Sequence, residues 1–196
     1  MASTRENKTI SQFKSALVGG GARPNLFEVE LTTFPGGISW NSDNFRYMCK
    51  AAALPASNIA SIDIPFRGRI FKVAGDRTFD TWQVTVINDE GFLLRNAFEA
   101  WMELISKLDN NLGATDPSAY MTNAKVYQLG RGSTVSSQDN TGSANSVLKE
   151  YEFIDIFPTS VSAIDLAYDS SDTIEEFTVE FQVQSYSLTG AGGPNG

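Results

Sequence analysis

Apolar and polar residues alternate along most of this chain, and the alternation predicts a protein built mainly from β-strands. Phe27, Val29 and Leu31 oppose Leu26, Glu28, Glu30 and Thr32, the period of two that sends successive side chains to opposite faces of a strand. Pro35-Gly36-Gly37 then breaks the run, and residues 45–52 read as the returning strand of a hairpin. Residues 59–73 form a second, irregular pair in which Ile62, Ile64 and Phe66 alternate, with Pro65 implying an edge or a bulge. Within residues 66–90, Arg67, Arg69 and Lys72 interleave with Phe66, Ile70 and Val73, Ala74-Gly75-Asp76 makes a break, and Trp82, Val84 and Val86 share one side of the next strand. These read as two strands of one sheet.

One long helix interrupts the strands. After Asn88-Asp89, either of which suits an N-cap, Leu94, Ala97, Phe98, Trp101, Leu104, Ile105 and Leu108 fall at three- and four-residue steps, while Arg95, Glu99, Glu103 and Lys107 stay outside that stripe. Strands follow at 122–129 and 148–157, separated by a polar loop over 131–146. Two more, 161–168 and 175–188, flank Asp169-Ser170-Ser171-Asp172, and in the last Phe177, Val179, Phe181 and Val183 oppose Thr178, Glu180, Gln182 and Gln184. The expected fold is mainly β: a two-sheet β-sandwich or small barrel with one long amphipathic helix over an open face or rim. Residues 1–21 form an arm, 22–188 a single domain and 189–196 a disordered Gly-rich tail. In the arm, Ile10, Phe13, Leu17 and Val18 stand at near-helical spacing before three glycines. That segment is too short to be stable alone, so it either docks on a neighbour or frays.

Charge and candidate chemistry narrow the function classes. With 15 basic and 23 acidic residues the formal charge is −8, which disfavours a protein that reads DNA. The single cysteine, Cys49, rules out an intrachain disulfide framework and reads as a buried, inert thiol. The chain has no histidine, which removes the commonest general base and metal ligand, and no Gly-Lys-Ser/Thr loop for phosphate. Glu175 and Glu176 are adjacent on a strand and should diverge, while Asp89 and Glu90 sit where helix starts favour acids. Asp169, Asp172 and Glu175 match no loop that supplies six to eight oxygens to calcium. No catalytic residue, metal site or cofactor is expected. The first residues lack the apolar core of a signal peptide, and no stretch approaches the ~18 apolar residues of a membrane span, so a cytoplasmic site of synthesis and use is expected, with no membrane partner.

A specific resemblance lies in the wording of particular segments. The run from Val73 to Asp80, Trp82, Val84-Thr85-Val86 and Asn88-Asp89-Glu90 resembles the tail tube protein of contractile-tailed bacteriophages. So, in the same order, do the run from Ala22 to Glu30, Cys49-Lys50 with Ala53-Leu54-Pro55-Ala56, and Phe157-Pro158-Thr159-Ser160-Val161. The resemblance covers residues 22–186 and departs from the family in extra length: the N-terminal arm, the 35–43 loop, the 131–146 loop and the tail. It implies six-membered rings stacked into the inner tube of a contractile tail, with strands of each subunit forming a barrel around a channel for genome DNA. Implied partners are other copies of the chain, the tail sheath protein, baseplate and tail terminator proteins, a tape measure protein in the lumen and DNA in transit, all within a virion assembled in a bacterial cytoplasm. On that basis Glu28, Glu30, Gln83, Thr85, Thr178, Glu180, Gln182 and Gln184 are candidate lumen residues, and Phe66, Arg67, Arg69 and Lys72 a candidate contact between rings. The alternatives are a tube protein of a type VI secretion system and a monomeric β-sandwich binding module or enzyme.

Overall fold

The computed structural model describes residues 9–17, 21–31, 33–130 and 147–189. The expected polar loop 131–146 and residues 190–196 of the tail lie outside the described residues, as do Val18, Gly19, Gly20 and Thr32. The strand with the clearest alternation, β8 (Glu176–Gln182), is an inner strand of the main sheet, between β7 (Val147–Val161) and β5 (Trp82–Ile87), with β2 (Cys49–Ala52) beyond β5. Phe177, Val179 and Phe181 of β8 are buried, as are Trp82, Val84 and Val86 of β5.

β7 joins this layer to a second one. Its first part pairs with β6 (Thr122–Leu129) and β9 (Ser185–Thr189), and β6 pairs in turn with β1 (Phe27–Leu31), all antiparallel. Its last residues pair with β8. Between the two parts the register slips and Asp155 takes φ 53°, a left-handed residue of the kind that bends a strand at a bulge, and its N–H donates to the side chain of Asn123 at 3.1 Å. The layers face each other across one core: Trp82 of the second layer stacks on Phe153 of the first at 4.4 Å between ring centres. This is the mainly β, two-sheet fold that the alternation predicts.

The long helix, α3 (Leu93–Ile105), buries Leu94, Ala97, Phe98 and Trp101. Phe98 and Trp101 meet Phe181 at 6.0 Å, and Phe98 meets Phe177 at 6.2 Å, so the helix covers the inner side of β8. Neither Asn88 nor Asp89 is its N-cap: that position is Phe92, left-handed at φ 53° and without a side-chain cap, while Asp89 closes the preceding turn, accepting from Phe92 N–H through its carbonyl and from Leu93 N–H through its carboxylate at 3.1 Å. The apolar stripe ends at Ile105, because the helix ends there and Leu108 lies 91% exposed beyond it.

Three local expectations need correction. Residues 45–52 are not the return strand of a hairpin: α2 (Ser42–Met48) occupies the first half of that run, β1 pairs with β6, and β2, the second half, pairs with β5. Asn41 begins α2 by accepting from the N–H groups of Asp43 and Asn44, an N-cap that outweighs the alternation of Phe45, Tyr47 and Cys49. Residues 74–76 are not a turn: β4 (Arg69–Phe79) runs through them, paired with β3 (Ser57–Phe66), and the turn lies at Arg67-Gly68. Because β3 and β4 form a sheet of their own, the basic strand and Trp82 do not share a sheet. Lastly, residues 162–168 are not a strand, and the run 175–188 divides into β8 and β9 at Val183-Gln184, where the chain crosses between layers.

Cys49 sits at the start of β2, and burial pushes its thiol up to about 12. A thiol reagent at mildly alkaline pH is expected to leave the native protein unmodified for hours and to react within minutes once denaturant unfolds it; labelling of the native state at the unfolded rate would show that the thiol is accessible.

Candidate assembly surfaces

The hairpin of β3 and β4 stands away from the core. Every residue of β3 is exposed, and β4 is exposed except for partial cover at Gly75 and Phe79. The turn residues Arg67 (φ 47°) and Gly68 (φ 82°) are both left-handed, the requirement of the tight two-residue turn that matches strand twist. Halfway along, Gly75 and Asp76 oppose Ala60 alone in a bulge. A Cβ on Gly75 would come within 3.1 Å of the Ala60 carbonyl, so close backbone approach is what demands glycine there. The base is tied to the body: Asn58 donates to Asp80 at 2.9 Å, and Phe79 meets Tyr186 edge-on at 5.3 Å.

Pairing in this hairpin sorts its side chains into two unlike faces. Ile62 opposite Val73, Ile64 opposite Phe71 and Phe66 opposite Arg69 occupy one face; Ser61 opposite Ala74, Asp63 opposite Lys72 and Pro65 opposite Ile70 occupy the other. The first face is apolar from Ile62 and Val73 to Phe66 and ends in Arg69 at the tip, and Phe66 and Phe71 on it are 66% and 65% exposed. Of the sequence-predicted contact residues, Phe66, Arg67 and Arg69 meet at the tip, where the Arg67 guanidinium lies 5.4 Å from the Phe66 ring centre. Lys72 is separated from them, on the polar face, bound to Asp63 at 2.8 Å.

The eight candidate lumen residues fall into groups on different surfaces. Gln83 lies opposite Glu180 and Thr85 opposite Thr178 on the outer face of the second layer, with Gln182 next along β8. Thr81 donates to Glu180 at 2.7 Å, and the Thr85 and Thr178 hydroxyls are 3.4 Å apart. Glu28 and Glu30 lie on the outer face of the first layer, pointing the opposite way, and both hold Arg46 of α2. Gln184 lies past the end of β8, at the crossing between layers. The eight therefore do not form one surface within a subunit. What β-alternation cannot convey is which layer a strand joins, since that depends on partners far along the chain.

Sequence reading missed the charge network around Glu28 and Glu30. Tyr127 donates to Glu30 at 3.1 Å, and Lys125 binds Glu150 at 2.9 Å. Burial, then the neighbouring Glu30 carboxylate, push the Tyr127 phenol up to about 12, so it stays a donor. The hydrogen bond to Glu150 holds Lys125 above its ordinary pKa. The strand-like alternation around Arg46 conceals its helix, for which the Asn41 cap is the available signal. Among the described residues no group of three or more His, Cys, Asp or Glu side chains comes together to hold a metal ion, and no helix is long and apolar enough to cross a membrane.

The family described as phage tail tube protein matches residues 22–189, a span that takes in both layers, α3 and the hairpin. The chain belongs to the phage tail tube protein family. It is 38% identical over 161 residues to the tail tube protein gp19 of Enterobacteria phage T4, covering 82% of this chain and 88% of that one. It is 22% identical over 177 residues to the tail tube protein of Serratia phage KSP90, covering 89% and 93%. Among solved structures it is similar to a chain of the anti-feeding prophage baseplate (TM-score 0.59, 10% identity, covering 88% and 97%) and to a chain of the sheath-tube complex of an extracellular contractile injection system (TM-score 0.52, 13% identity, covering 94% and 100%). At those identities the likeness concerns the fold. As a phage tail tube protein it has a structural role in the inner tube and its place is in the virion tail; the type VI secretion reading is not favoured. The helix α1 (Ile10–Ala16) of this tail tube protein lies outside the matched span.

Proposed function

We propose that this chain forms six-membered rings that stack into the inner tube of a contractile phage tail and leave a channel through which genome DNA passes, with no catalytic step and no cofactor. The observation that carries the assembly is the hairpin of β3 and β4. A two-stranded hairpin is marginal in water by itself, and one that also shows water a continuous apolar face demands a partner. Residues 22–188 act as the single tube domain, and the arm 1–21 docks on a neighbouring copy: α1 is capped at both sides of Thr9 by a reciprocal Thr9-Gln12 box yet leaves Ile10 and Phe13 75% and 66% exposed.

For the lumen, the outer face of the second layer is the better candidate. Gln83, Thr85, Thr178, Glu180 and Gln182 supply hydroxyls, amides and one carboxylate in a ladder, with no basic group among them. Such a lining leaves phosphate without a strong partner, so DNA stays mobile. Glu28 and Glu30, already engaged by Arg46, belong instead to a surface between subunits. The tail sheath protein surrounds the tube, baseplate and tail terminator proteins meet its ends, and a tape measure protein fills the lumen before DNA does. Electron microscopy of the concentrated purified protein is expected to show rings or tubes, with those five side chains on the channel wall. Monomers that persist at every concentration would sink the tube reading; tubes whose channel is lined by Glu28 and Glu30 instead would sink the lumen assignment.

A further inference from the structure

The hairpin and one long loop leave the second layer at opposite ends. On β5, Trp82 pairs with Phe181 and Ile87 pairs with Glu176. The hairpin comes out next to Trp82, since β4 ends at Phe79 and β2 stops at Ala52, opposite Val84. The loop of residues 162–175 comes in next to Glu176, where Asn88 N–H donates to the Glu175 carbonyl at 2.9 Å. The six residues of β5 hold these ends about 20 Å apart, and the hairpin, with a ten-residue strand, is itself ~30 Å long.

The two features are complementary in charge and in polarity. The hairpin carries Arg67, Arg69, Lys72 and Arg77 against two acids, Asp63 and Asp76, in a chain of formal charge −8. Because Lys72 is held by Asp63, Arg67 and Arg69 are the cations that the tip presents. The loop carries Asp165, Asp169, Asp172 and Glu175 and no basic residue. It also exposes large apolar groups, with Leu166 at 80%, Ile174 at 72% and Tyr168 fully in solvent. Some acids elsewhere are already engaged: Glu28 and Glu30 with Arg46, Glu150 with Lys125, Glu176 with Lys50 and Glu99 with Arg95. Others, such as Asp43, Glu90 and Glu152, are in no ion pair among the described residues but stand on separate segments, whereas the loop gathers its acids on one segment beside exposed apolar groups. Asp165, Asp169 and Asp172 enter no ion pair among the described residues.

We infer that the hairpin tip of one copy docks on the 162–175 loop of the next copy along the tube. Phe66 and Phe71 would cover Leu166, Tyr168 and Ile174, while Arg67 and Arg69 meet the three aspartates in the forked geometry that suits guanidinium and carboxylate. This rests on the tube reading and adds the receiving surface to it. A contact between unlike ends of identical subunits is heterologous and does not close on itself, so it repeats indefinitely and gives the tube a direction.

Charge reversal on each side, then on both together, tests the inference by the fraction of protein that sediments as tubes. Arg67→Glu with Arg69→Glu, and separately Asp165→Lys with Asp169→Lys and Asp172→Lys, are each expected to lower that fraction at least about tenfold, since like charges then face each other. The protein carrying all five changes is expected to recover to within about threefold of the natural chain. Far-UV circular dichroism and gel filtration establish that each variant is folded, and the milder triple Asp→Asn loop, with an expected loss of about fivefold, gives an independent reading if the reversed loop does not fold. Natural protein that forms no tubes overturns the tube reading and this inference with it. Natural tubes that tolerate both loop variants, or a five-change protein no better than either half, overturn this inference and leave the tube reading standing.

Discussion

Tubes are expected to vanish when Phe66 and Phe71 are both replaced by Asp, while the folded subunit keeps its melting temperature. Both rings lie on the apolar face of the hairpin and are about two-thirds exposed, so neither contributes to the core. Surface changes of this kind alter folding stability by about 0.5 kcal/mol or less. In an interface the same rings act as buried aromatic anchors, each of which costs about 2 kcal/mol or more when lost. Two together correspond to about a thousandfold weaker contact, before the cost of bringing an unpaired carboxylate into an apolar surface. Ring closure and stacking repeat the loss at every subunit. Ser61→Asp adds a charge to the opposite face of the same hairpin, and tubes should survive it. If the double variant assembles like the natural chain, the apolar face is not an assembly surface; if Ser61→Asp is equally damaging, charge on the hairpin matters and its facing does not.

The division of this hairpin into faces shows how far the sequence could be read. Its strands announce themselves through Ile62, Ile64 and Phe66, and Pro65 does lie in a two-stranded sheet in which both strands are edges. Gly75-Asp76 is a stronger written turn signal than Arg67-Gly68, which draws the expected turn away from its true place. Only pairing reveals that Gly75 is small to let the Ala60 carbonyl approach. In the same way, β6 is legible to the residue because polar breakers bound a clean alternation, whereas α2 spans seven residues, too few for a helical period to be told from a strand. Among the candidate lumen residues, alternation correctly grouped Thr178, Glu180 and Gln182 on one face of β8. It gave no means of knowing that Glu28 and Glu30 belong to the other layer, because strand order is decided by pairings such as β1 with β6, about a hundred residues apart.

The largest effect on the subunit itself is expected at Trp101, where Trp101→Ala should cost about 3–5 kcal/mol of stability. The side chain is fully buried and packs edge-on to Phe34 at 4.8 Å and tilted against Phe181 at 6.0 Å. It thereby joins α3 to the inner side of β8 and to the loop before α2. Its indole N–H also donates to the Tyr120 carbonyl at 2.7 Å, so truncation leaves a cavity and a buried acceptor without its partner. A loss of that size is a large part of the ~5–15 kcal/mol that holds a typical domain together, and corresponds to a fall of about 10 °C in melting temperature. Trp101→Phe separates the two contributions: it keeps most of the apolar volume and gives up the hydrogen bond, for an expected cost of about 1–3 kcal/mol. Urea unfolding of the three proteins measures both. Because no assembly surface includes Trp101, the fraction of Trp101→Ala protein that folds should still form tubes, in contrast to the Phe66 and Phe71 variant, which folds and does not. A cost below about 1 kcal/mol for Trp101→Ala would mean that α3 is not the cover of this core.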